Sequence, residues 1–113
     1  MGLKLVLAVA LCALAAAPAA LAQQSTEAGL RDCEKLAAVK FKRDNAAFKH
    51  FTIDRASVEE DKFVDKVGTQ FVSTVYHGKA SYQDTGAPLT VRFICLHAGV
   101  GKGAVFVYML LPD

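Results

Sequence analysis

Three residues of this chain carry the chemistry most worth explaining: Cys33, Cys95 and His97. Cys95 and His97 stand two apart in an apolar run, so on a strand they share a face. A thiol and an imidazole placed in this way could form the nucleophile and base of a small hydrolase, as could a serine with one of the histidines. Same-face neighbours on one strand lie about 6–7 Å apart, too far for the hydrogen bond that such a pair needs. A bridge between Cys33 and Cys95 is therefore the expected use of both sulfurs. The third cysteine, Cys12, lies in an N-terminal apolar run read below as a removable leader. Closing a loop of about 60 residues stabilises by roughly 4 kcal/mol in the chain-entropy view.

His50, His77 and His97 also make a Zn- or Cu-binding protein a reading to weigh. No two of them sit at a short ligand spacing, and His77 is expected on the sheet face opposite His97, so no metal site and no cofactor is expected. Gly99-Val100-Gly101-Lys102-Gly103 resembles a phosphate-cradling loop only on the surface. That loop needs Ser or Thr after its lysine and then a helix, whereas Gly103 and a strand-like run follow here. Asp54, Asp65 and Asp84 show no pairing for acid/base work, and Ser73 and Ser81 lack the Gly-x-Ser-x-Gly elbow.

The elements that position these residues begin with residues 1–22. Lys4, an apolar run from Leu5 to Ala17, and the end Pro18-Ala19-Ala20-Leu21-Ala22 have the form of a secretory signal cleaved after Ala22. Removing it leaves residues 23–113, 91 of the 113, as one small domain without a membrane segment. Its destination is an oxidising compartment, the bacterial periplasm or beyond it, where two cysteines pair. The formal charge of +2 falls to +1 once Lys4 leaves, too small to argue for nucleic acid or an anionic membrane. Phe41, Phe48 and Phe51 interleave with Lys40, Lys42, Arg43 and Lys49. Such a mixture could stack on bases, but inward-packing phenylalanines on a solvated connector are the expected form, with no nucleic-acid partner.

Residues 25–41 read as a helix capped by Ser25 or Thr26, with Leu30, Cys33, Ala37 and Phe41 forming its apolar stripe. Residues 51–58 read as a first strand, followed by an acidic turn at Glu59-Glu60-Asp61. Three runs rich in branched and aromatic residues then follow: Gln70 to Tyr82, Leu89 to His97 and Ala104 to Leu111. The short breaks between them require antiparallel hairpins. The expected fold is α+β: an N-terminal helix packed on a roughly four-stranded, mostly antiparallel β-meander, stapled by one disulfide.

Pairing symmetric about Val100-Gly101 sets Cys95 beside Phe106, Phe93 beside Tyr108 and Val91 beside Leu110, all on the helix side. Ile94, Leu96, Val105, Val107 and Met109 then face outward as a second apolar surface, where polar residues are the norm. Residues 40–67 folding back over that face is the first expectation, then a self-dimer, then another protein. The plan of leader, antiparallel sheet and single disulfide resembles small exported bacterial proteins that act by binding, lysozyme inhibitors among them. The Ser-Gly-x-x-Tyr-type loop of those inhibitors is not matched by His77-Gly78-Lys79-Ala80-Ser81-Tyr82, so no residue role is carried over. The function expected is that of an exported, non-enzymatic binding protein. It would act through the outer sheet face or through a loop rim at His97 and Lys102.

Overall fold

The computed structural model describes residues 25–112, so the leader at 1–22 lies outside the described residues. One helix, α1 (residues 25–44), packs across an antiparallel sheet of five strands. These are β1 His50–Ile53, β2 Glu59–Val67, β3 Gln70–Gln83, β4 Leu89–His97 and β5 Ala104–Leu110. The long β3 is the spine. Both β1 and β2 pair with one of its edges, β4 pairs with the other, and β5 follows β4.

Helix α1 buries the expected stripe, Leu30, Cys33, Ala37 and Phe41. Ser25 and Thr26, expected as caps, are already helical, and the Thr26 hydroxyl donates to Glu60 Oε2 at 2.7 Å. At its other end the helix runs three residues beyond Phe41 and stops at Asn45. There the Asn45 side-chain oxygen accepts from Ala47 N–H, and its amide donates to the Tyr82 hydroxyl and to Asp84. The stripe meets Tyr76, Ala80, Val91, Phe93 and Cys95 on the sheet, and Cys33 and Cys95 are joined by a disulfide spanning 62 residues. Each such side chain stabilises the fold by about 1.5–3 kcal/mol when fully buried. Tyr76 reaches the helix where Gly29 leaves room, since a Cβ there would land on the Tyr76 hydroxyl.

The strand expected over residues 51–58 is shorter, His50–Ile53, and a 3₁₀ turn at Arg55–Ser57 follows it. Arg55 clamps this turn to α1. Its guanidinium donates to both oxygens of Glu34 at 2.7 and 2.9 Å and of Glu27 at 3.1 and 2.9 Å. Hydrogen bonds donated to Glu34 and then to Glu27 raise the Arg55 pKa, while accepting from Arg55 is the main cause lowering that of Glu27.

Two expectations are corrected. The acidic stretch at Glu59 is a strand: it pairs with β3 from Glu59↔His77 to Val67↔Gln70, with a bulge between Lys62 and Asp65. Val64 in that bulge holds φ at 52°, which costs a β-branched residue about 1–3 kcal/mol. Within residues 40–67, His50–Ile53 and Glu59–Val67 thus add strands along β3, and the stretch leaves Ile94, Phe106, Tyr108 and Leu110 of the outer face exposed. The second correction is the facing of β5. His97↔Ala104 pairs as the symmetric loop requires, but Leu96 pairs with Phe106, so Val105 is an extra residue. One inserted residue exchanges the faces of everything beyond it. Cys95 therefore pairs with Val107 and Phe93 with Met109. Val107 is fully buried and Met109 packs on the core, so neither belongs to an outer surface.

Candidate functional site

Two places on the molecule have the makings of a site. The first is a cavity of about 340 Å³ between the start of α1, β3 and the β4–β5 loop. Asp32, Glu60, Ser73, Thr74, Tyr76 and His97 line it. Gly99, Gly101 and Gly103 in the loop all hold positive φ, the conformations that let the chain turn back so tightly. One result is that Gly99 N–H donates to His97 Nδ1 at 3.0 Å. That bond assigns the ring proton to Nε2, which donates to Asp32 Oδ2 at 2.8 Å.

Both nitrogens of His97 are therefore engaged within the protein: Nε2–H donates to Asp32, and the one free lone pair, on Nδ1, accepts from Gly99. The ring is 4 % exposed and packs edge-on to Tyr76 at 6.0 Å. His97 is thus not part of an exposed loop rim, which corrects that expectation. Its structural work is to join α1 to the base of the β4–β5 loop. Lys102, the other expected rim residue, is exposed, with its ammonium 6.0 Å from the centre of the Phe71 ring.

Tyr76 is the titratable group this cavity perturbs most clearly. Burial first, and then the charges of Glu60 and Asp32, push its phenol from the ordinary 10.0 up to about 12. Unfolded chains lose this proton at lower pH than folded ones, so the stabilisation is intact below pH 10.0 and disappears as pH rises towards about 12. Tyr76→Phe is expected to flatten that alkaline loss of stability. A phenolate absorbance titration in which all three tyrosines ionise together near their ordinary value would contradict it.

The second place is the outer face of β4 and β5. The sheet register sets Ile94 beside Tyr108, Leu96 beside Phe106 and Arg92 beside Leu110. Ile94, Phe106, Tyr108 and Leu110 are 38 to 49 % exposed, large apolar side chains in contiguous positions rather than scattered singly. The Phe106 and Tyr108 rings lie parallel, 6.4 Å apart. Leu96, Val105 and Phe106 line a shallow apolar pocket with Val67 and Val72.

Of the expected outer set, Ile94, Leu96 and Val105 stay on this side or its rim, while Val107 and Met109 are replaced by Phe106, Tyr108 and Leu110. These three are brought outward by the extra residue at Val105, which nothing in the local sequence marks. Asp32 went unnoticed because its partner His97 is 65 residues away.

The histidines stand apart. His50 is on β1, and His77 bonds Asp61 on the outer side. Among the described residues no three His, Cys, Asp or Glu gather as a metal-binding set, and no helix is long and apolar enough to cross a membrane. No family model, curated protein or solved structure matches the chain. What the fold defines is a small disulfide-bonded α+β domain, consistent with an exported protein.

Proposed function

We propose that this chain is an exported, non-enzymatic interaction protein that binds a protein partner through the outer face of β4 and β5. The observation that carries the reading is that α1 covers one face of the sheet while Ile94, Phe106, Tyr108 and Leu110 stay exposed on the other. A domain this small gains most by burying its apolar surface, and large exposed apolar patches mark interaction sites. Aromatic anchors such as Phe106 and Tyr108 are the side chains that dominate binding energies. Further support comes from the chemistry already in use: Cys95 is oxidised and His97 is bonded at both nitrogens. Periplasmic or secreted location is part of the proposal and rests on the leader and the disulfide.

Ile94→Lys tests it, because the side chain is exposed and away from the core. Immobilised wild-type protein and the variant are compared for partners retained from a cell-envelope extract. A specific partner is expected to bind the variant at least ~10-fold more weakly, the effect of charging one anchor position. Equal retention by both proteins would refute the proposed surface.

A further inference from the structure

We infer that the free edge of β5 recognises a second copy of this chain, strand against strand and antiparallel, about a two-fold axis at Val107. This rests on the reading of the β4–β5 surface as an interaction surface and names its occupant. β5 ends the sheet and pairs only with β4 among the described residues. Its seven residues, Ala104–Leu110, include no charge and no proline, the devices by which edge strands are normally kept from pairing. The one guard comes from elsewhere. Lys40 on α1 reaches round the edge, donating to Val107 O at 2.9 Å with its ammonium 4.8 Å from the Phe106 ring centre.

That contact also shows which backbone groups are free. Val107 O points away from β4, and in an antiparallel strand the N–H of the same residue points to the same side. The outward groups are thus those of Val107 and, two residues on, Met109. Setting Val107 against Val107 of a second copy makes a hydrogen-bonded pair, and Val105 falls opposite Met109. On the outer face the same register sets Phe106 opposite Tyr108 of the second copy, twice over, which is a favoured aromatic cross-strand pair. Every position from Ala104 to Leu110 is then matched, apolar against apolar, with no like charges opposed. A strand that reads as its own complement fits a second copy better than an unrelated chain.

Lys40 opposes this pairing. Its bond to Val107 O must be given up, and two Lys40 ammoniums approach each other at the axis. A seven-residue edge belongs to the small, transient class of interfaces, so the association is weak, concentration-dependent and governed by Lys40. Salt strengthens it by screening the two ammoniums.

Sedimentation equilibrium of the oxidised protein from ~10 µM to ~1 mM, the span of transient affinities, tests this together with amide hydrogen exchange. Wild type is expected to dimerise reversibly, with the Val107 and Met109 amides protected only in the dimer. Lys40→Met is expected to tighten the dimer about a hundredfold, the scale of two charged hydrogen bonds, one from each copy, no longer surrendered. Phe106→Lys with Tyr108→Lys, both at exposed positions, is expected to abolish it by opposing like charges. Monomers throughout in all three proteins would overturn the inference, as would a dimer that survives the double lysine variant or leaves the edge amides exchanging. Loss of a partner through Ile94→Lys with no self-association would overturn the second copy as occupant and leave the outer face as a binding surface. A strand of another protein protecting the same amides, with no self-association, would likewise overturn it.

Discussion

Replacing Cys33 and Cys95 together by Ala is expected to lower the stability of the domain by about 4 kcal/mol. The bridge spans 62 residues, and a crosslink over so long a loop removes much of the freedom of the unfolded chain. It also has a local role. Helix α1 is joined to the sheet by side-chain packing, by the Arg55 clamp and by the His97–Asp32 bond, and the disulfide is its one covalent tie to β4. A domain of this length has about 4–13 kcal/mol in total, so the loss is a large part of what it has. Both sulfurs are fully buried, and the cavities left by Ala add to the deficit. Urea unfolding of the oxidised protein and of the double variant measures the difference directly. Curves that agree to within ~1 kcal/mol, below the usual range for a native disulfide, would show that packing alone holds the helix.

That bridge was legible because compartment and cysteine count both pointed to it. The helix stripe was legible too, since Leu30, Cys33, Ala37 and Phe41 recur with the period of a helix and bury one side. β2 was hidden for the opposite reason. All nine of its residues are exposed, so no alternation distinguishes Glu59, Glu60 and Asp61 from a solvated turn; they are held as a strand by the backbone of β3. The outer face of β5 was inverted by a single residue. Pairing inferred from the loop holds at His97↔Ala104 and fails one step later, because nothing local to Val105 marks it as the bulge. In an ordinary strand the polar alternation would have exposed the error. Here Val105, Phe106, Val107, Tyr108 and Met109 are apolar on both sides, and that ambiguity is itself the trace of a sheet with two apolar faces. The spacing of His97 from Cys95 points to the wrong chemistry, because its partners are Asp32 on α1 and its own loop backbone.

Phe41→Ala is expected to cost about 3–5 kcal/mol, and it decides between the two uses of the basic, phenylalanine-rich stretch at residues 40–51. If these rings stacked on an anionic partner, truncating one would weaken binding and leave the fold alone. The geometry assigns them inward. Phe41 is 7 % exposed and meets Phe48, Phe51 and Tyr82 edge-on, with ring centres 6.0, 5.3 and 6.1 Å away, and Phe51 passes the contact on to Phe93. Such edge-to-face pairs add about 0.5–1.5 kcal/mol each beyond the area they bury. Removing the ring at their centre therefore loses transfer energy, leaves a cavity and breaks three aromatic contacts at once. The nearby charges are partly used by the same connector: Lys42 donates to Ala46 O at 2.7 Å, closing the turn after α1. Thermal unfolding of Phe41→Ala should fall by more than ~12 °C for a domain of this size, whereas Phe41→Leu, which keeps most of the volume, should lose far less. A variant that melts with the wild type would show that the ring does not pack in the core, and would return this stretch to the surface.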